Sequence, residues 1–334
     1  MNKINAVITA MGGYVPDGVL TNEDVEKMVD TSDEWITARV GIKERRFLPK
    51  EAGRGASYLG IRAVENLFAL HPGIRPSGID LVLTSTNSPD YAFPSTASLI
   101  AKQTGIPTGV PCFDFEAGCT GFIYGLQIAR GLVTSGIYRR VLLISAEYNT
   151  AMTDPLDRST LPLFGDAAAC AVIEPSKEEE TGIRDILLGT DPEGAEEHLV
   201  LKAGGTANPA TAETVAQRLH FIHQDGQPVF KSAVTYMGDI TEELLRRNGL
   251  TQADLDWVVP HQANLRIIKA TAARIGLSME KVMLNIQHRG NTSSASIPLC
   301  IWENRDRIKK GDNLILTAFG AGFTYGCVYL KWAY

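Results

Sequence analysis

A chain of 334 residues, 44% hydrophobic and 21% charged, can bury one large core or two domain-sized ones, which excludes a disordered protein. Its formal charge of −6 argues against a general nucleic-acid binder. No stretch reaches the ~18 consecutive apolar residues of a membrane span.

The N-terminal MNKINAVITAMGGYVPDG carries a short apolar run without a long hydrophobic region and small-residue cleavage site. Five cysteines at 112, 119, 170, 300 and 327 are odd in number and contain no C-x-x-C pair, so neither a disulfide framework nor a zinc site is suggested. The expectation is a soluble, cytoplasmic protein.

In chain order, β-rich runs alternate with helical patterns: INAVITAM, then DLVLTST at 80–86, RVLLISA at 140–146 and AACAVIEP at 168–175. This alternation predicts a layered α/β architecture, and the continuous apolar runs predict strands covered on both faces. After GFIYG, Phe122, Leu126, Ala129 and Val133 recur at helical spacing, placing a helix start close to Cys119. From about 175 to 230 the chain turns charged and Gly/Ala-rich, and a boundary between two halves, 1–175 and 176–334, is expected there. The second half repeats the alternation: AVTYMGDITEELLRRNGL, then DWVVPHQANLRIIKATAARIGL with His261 opening a helix, then DNLILTAFGAGFTYGCVYLKW.

An unpaired cysteine is often only a small buried hydrophobe. At a helix N-terminus, however, unpaired N–H groups and the macrodipole favour the thiolate, which is the nucleophilic form. Nucleotide binding is a poor alternative. FGAGFTYG supplies Gly320 and Gly322, but the third glycine of G-x-G-x-x-G would fall at Tyr325, and no P-loop occurs.

Five of the six histidines, His71, His198, His220, His223 and His288, sit in polar contexts and read as solvated or structural. His261 directly follows the apolar WVVP, at a strand-to-helix junction of the kind that mounts functional groups. Asn291, in HRGNTSSASIP, stands before small hydroxyl and methyl side chains where a core would not place an unpartnered amide. Taken singly, these are a strand-end His and a turn Asn.

The order Cys119, His261, Asn291 leaves two chemistries open. The 142-residue interval from Cys to His falls in the range of papain-like peptidases, although C-G-[SA]-C-[WY] is missing and the alternating layout is not that fold. The other is acyl transfer with carbon–carbon bond formation, in which His and Asn donate hydrogen bonds to a thioester oxygen as an enolate forms.

AGCTGF, VPHQANLRII, RGNTSSAS, FGAGFTYG, DTSDEWITARVGIKERR and LFGDAAA together resemble β-ketoacyl-acyl-carrier-protein synthase III, the initiating condensing enzyme of type II fatty-acid synthesis in the thiolase superfamily. The resemblance covers about residues 3–332. It implies a thiolase-like five-layered αβαβα fold of two similar halves, the first carrying the nucleophile and the second the His and Asn. It also implies a ping-pong reaction of a short acyl-CoA primer with malonyl-acyl-carrier protein, needing no metal or redox cofactor.

Residue by residue, the resemblance makes Cys119 the acylated nucleophile, His261 and Asn291 the decarboxylation pair, and the backbone N–H groups of Cys119 and Ala321 the oxyanion hole. Thr31, Trp35, Arg39, Arg158 and Asn264 fall where the family grips coenzyme A. Phe93, otherwise a core aromatic before a turn proline, matches a residue lining the acyl pocket of the partner subunit, which implies a homodimer. Arg266, Lys269, Arg274 and Lys231 are candidates for docking the acidic acyl-carrier protein, against the alternative of a solvated helix face.

The family usually has a small residue at the oxyanion loop, often Gly, and this chain has Ala321; since the donor is backbone, the implied role survives. Glu116 and Gly118 are less usual so near the nucleophile, and Glu116 is expected to be turned away or paired because a facing carboxylate would raise the thiol pKa. Condensing enzymes of secondary metabolism keep the same Cys, His and Asn, and a catalytically silent binding module is a third reading. Primer length and branching stay open.

Overall fold

The computed structural model describes residues 4–51, 53–178, 180–194 and 197–334. A five-stranded sheet has the spatial order Asn5–Tyr14, Ala167–Ser176, Val141–Glu147, Leu81–Ser85, Cys112–Phe115. The first two pairings are antiparallel and the last two parallel.

A second sheet repeats that plan: Gly182–Thr190, Thr324–Lys331, Asn313–Gly320, Trp257–Pro260, again antiparallel, antiparallel and parallel. An isolated parallel bridge between Val258 and Val282 stands where the first sheet has its fifth strand. The repeat is invisible as sequence identity because only topology and polarity pattern are shared. The charged stretch after 175, read as a boundary, contains the edge strand of the second sheet, Gly182–Thr190.

Alternation along the strands explains the layers. Leu81, Leu83, Val141 and Leu143 face inward with Val259, Leu314, Leu316 and Val328 of the second sheet, around the helices Gly121–Thr134 and Ser296–Glu303. Val82, Leu142 and Ile144 face the outer helices Ala56–Leu70 and Thr96–Gln103. Val258, Ile315 and Cys327 pack under Gly226–Asn248 and Leu265–Arg274. The result is the expected five-layered αβαβα fold. Val141–Glu147 is buried along its whole length, as its unbroken apolar run predicted.

The central helix Gly121–Thr134 approaches its sheet closely because it begins with glycine: a Cβ on Gly121 would collide with the Ser85 side chain. Leu126 of this helix is fully buried between the two sheets. Leu126→Ala should destabilise the protein by about 2–5 kcal/mol by removing apolar contact from both layers at once. A lower urea midpoint at unchanged slope checks this.

Candidate active site

Cys119 occupies a 3-10 turn, Gly118–Thr120, two residues ahead of the first residue of the helix Gly121–Thr134. Entry to the turn needs glycine: Gly118 has φ +54°, and a Cβ there would lie 2.8 Å from both the N and the O of Ala321. Gly320 likewise abuts the Cys119 backbone. Cys119 and Ala321 thereby line one small cavity of about 270 Å³, with Glu116, Phe164 and Leu201 among its walls.

His261 follows the strand Trp257–Pro260, and its N–H donates to Thr317 O at 2.8 Å. The helix expected to open at His261 begins instead at Leu265, capped by the Asn264 side chain. The imidazole is buried and its Nδ1 lies 2.7 Å from Ser296 Oγ, which leaves Nε2 for the cavity. Asn291 Oδ1 accepts from the Ser293 N–H at 2.8 Å, which leaves the Nδ2 protons as donors. Cys119, His261 and Asn291 line a single larger cavity of about 510 Å³. Cys119 and Asn291 border both cavities.

Burial dominates the electrostatics. It pushes the Cys119 thiol up to about 12, opposed by the Ser293 hydrogen bond and reinforced by the charges of Glu147 and Glu116. The expectation of a thiolate accessible near neutral pH is therefore corrected. A helix N-terminus supplies at most ~2 kcal/mol, less than desolvation takes away here. Burial lowers His261 to about 3, so the imidazole is neutral at pH 7. Glu116 is exposed and folds back to accept from the Gly118 N–H at 2.9 Å; it is paired, as expected, while still opposing the thiolate.

The larger cavity's mouth carries exposed Trp35 and Arg39, together with Asn264 and Arg266. Arg158 stacks over Trp35 with its guanidinium 5.9 Å from the ring centre and pairs with Asp30 at 3.1 Å. The Thr31 hydroxyl is buried and has no partner among the described residues. Phe93 is 87% exposed and borders neither cavity. It is no core aromatic. Arg266, Lys269 and Lys231 are exposed, Arg266 lying 5.4 Å over the Phe230 ring. Arg274 differs from them, because Asp239 on the neighbouring helix pairs with it and neutralises it.

The sequence reading passed over Glu147 and Ser293. Glu147 is fully buried at the end of VLLISAE. A carboxylate closing a fully buried run whose only other polar residue is Ser145 was the available signal, since burying one demands partners. Ser293 gave no signal beyond its place in TSSAS.

The family described as 3-oxoacyl-[acyl-carrier-protein (ACP)] synthase III matches residues 113–192, and that described as its C-terminal part matches 245–332. A β-ketoacyl-[acyl-carrier-protein] synthase III from Porphyromonas gingivalis is 54% identical over all 334 residues, covering 98% of that relative. Among solved structures, 3-oxoacyl-[acyl-carrier-protein] synthase III from Aquifex aeolicus superposes with a TM-score of 0.88 at 39% identity, over 98% of this chain and 100% of that one. The priming β-ketosynthase of the R1128 polyketide biosynthetic pathway does so with 0.88 at 32%, over 98% and 96%.

Gly118→Ala should be strained by its left-handed backbone and by the collision with Ala321. We expect a loss of about 1–3 kcal/mol in stability, and slower labelling of Cys119 by acyl thioesters as the two loops part. Thermal denaturation and intact-protein mass measure the two effects.

Proposed function

Because the chain belongs to the 3-oxoacyl-[acyl-carrier-protein] synthase III family, and is a condensing acyltransferase that initiates fatty-acid synthesis, we propose that Cys119, His261 and Asn291 divide its chemistry between them. The observation that carries this is their convergence on one cavity.

Cys119 Sγ attacks the carbonyl carbon of an acyl-CoA, the carbon–sulfur bond to CoA breaks, and the thiol proton leaves with CoA as its free thiol. Malonyl-acyl-carrier protein then enters. Its carboxylate departs as CO2, and the electron pair of the broken carbon–carbon bond becomes an enolate. The enolate oxygen is held by His261 Nε2–H and Asn291 Nδ2–H. A neutral imidazole suits this task, since it donates a hydrogen bond without surrendering a proton. The enolate carbon attacks the acyl-Cys119 carbonyl, whose developing oxyanion sits against the N–H groups of Cys119 and Ala321. Collapse releases 3-oxoacyl-acyl-carrier protein and the Cys119 thiolate, which takes one proton from solvent. Every bond change balances without a metal or redox cofactor.

In this reading the smaller cavity takes the acyl chain and the larger one the pantetheine arm. Trp35, Arg39, Arg158, Thr31 and Asn264 grip CoA. An exposed indole and guanidinium groups at the mouth support that role, since they stack on adenine and pair with phosphate. Phe93 closes the acyl cavity of a second copy, a role supported by its exposure, and the working unit is a homodimer. Residues 1–175 form the nucleophile half and 176–334 the His and Asn half, a division supported by the repeated strand order. A cytoplasmic setting fits five unpaired cysteines.

The deciding experiment separates the half-reactions. Asn291→Ala should cost ~3 kcal/mol, or ~100-fold, in condensation, by analogy with a lost oxyanion donor. Acylation of Cys119 by acyl-CoA, followed by mass, should persist. Equal loss of both steps would remove Asn291 from the enolate and favour a peptidase-like orienting role.

Acyl-carrier protein is acidic, and Arg266, Lys269 and Lys231, beside the larger cavity or in the same half, have no ion-pair partner among the described residues, while Arg274 is spent on Asp239. Arg266→Glu should raise the apparent KM for malonyl-acyl-carrier protein several-fold at low salt and flatten its ionic-strength dependence, because rim charges act through association. Acylation by acyl-CoA should change little. An unaltered carrier-protein KM at low salt would move the docking surface elsewhere.

A further inference from the structure

Glu147 is a fully buried carboxyl group that the reaction just described does not use. Its Oε1 accepts from Asn87 Nδ2 at 2.9 Å and from the Ser294 hydroxyl. Its Oε2 accepts from the Asn87 backbone N–H at 3.0 Å and from Ser88 Oγ at 3.5 Å. Asn87 is therefore fixed at two points. The same Nδ2 group also donates to Ser293 Oγ at 2.8 Å, and Ser293 Oγ lies 3.5 Å from Cys119 Sγ.

This chain has a direction. Asn87 occupies one lone pair of the Ser293 oxygen, and once the sulfur is a thiolate it can only accept, so the Ser293 hydroxyl is then the donor. The Ser293 backbone points the same way. Its φ is +50°, and it is one of two non-glycine residues with positive φ among the described residues. Glycine would hold that conformation at lower cost, so a side chain retained there has a use worth the strain. The Ser293 N–H is also tied to Asn291 Oδ1 at 2.8 Å.

We propose that Ser293 is the hydrogen-bond donor that aims the Cys119 sulfur and takes up part of its negative charge as the thiolate forms, with Asn87 and Glu147 as positioning residues that fix the direction of that hydroxyl. The proposal rests on Cys119 being the nucleophile. Two charged groups bear on the sulfur, the carboxyl groups of Glu147 and Glu116, and the neutral His261 lines the same cavity. The two carboxylates oppose the thiolate, so the Ser293 hydroxyl is the side-chain contact that favours it. Glu147 thus acts in two opposed ways, anchoring the donor chain while its charge, to the extent that burial leaves it ionised, adds to the desolvation that disfavours the thiolate.

The test follows the rate of iodoacetamide alkylation of Cys119 at a fixed pH near 8, and acyl-enzyme formation by intact mass, in the full-length protein. Ser293→Gly removes the hydroxyl and tolerates the positive φ. It should slow both alkylation and acylation about tenfold, the effect of one pH unit on the thiolate fraction, with the thermal midpoint kept. Asn87→Ala, which frees the Ser293 hydroxyl to turn, should slow both in the same direction. Unchanged rates in both variants overturn the donor role, and unchanged rates in Asn87→Ala alone overturn the positioning role of Asn87 and of Glu147 behind it. A wild-type protein that gains no acyl mass at Cys119 instead refutes the nucleophile assignment beneath the proposal.

Discussion

Two backbone segments about 200 positions apart in the chain, Gly118–Cys119 and Gly320–Ala321, press against each other with no side chain between them. Glycine at 118 and 320 makes the approach possible. The approach sets one wall of the reaction site and brings the amides of residues 119 and 321 to the same small cavity. It also welds the two sheets together where the helices Gly121–Thr134 and Ser296–Glu303 share one core. Any change that widens this gap loosens the fold and the site together.

The contact lies between the sheets, where His261 is buried and Cys119 half-buried, both lining the larger cavity. Desolvation leaves Cys119 a thiol and His261 a neutral imidazole at physiological pH. A low local dielectric also strengthens each hydrogen bond to developing charge. The segment 291–296 concentrates the control of this state. Asn291 faces the cavity, the Ser293 hydroxyl faces sulfur, the Ser294 hydroxyl binds Glu147, and Ser296 holds the imidazole.

At the rim the dielectric regime reverses. Trp35, Arg39, Arg266 and Lys269 are exposed, and screening by salt limits what each contributes to stability. Their charge acts instead through encounter, since cations without an ion-pair partner among the described residues, on an otherwise acidic chain, alter association rates with charged partners. Arg274 is removed from that set by Asp239, a distinction that no count of basic residues on the helix could have made.

Local order determined much of this protein. The apolar runs at 81–85 and 141–147 dictated strands covered on both faces, and the spacing of Phe122, Leu126, Ala129 and Val133 dictated the central helix. The quoted motifs around Cys119, His261 and Asn291 were legible because reacting groups must stand on fixed turns with small neighbours. Tertiary structure alone decided the protonation states, since a helix N-terminus and the cost of burial push the thiol in opposite directions and only packing says which is larger. It alone joined Glu147 to Ser293, 146 positions apart and linked through Asn87. It alone revealed the repeated strand order, because topology is conserved by the pairing of backbones, which side-chain identity does not record.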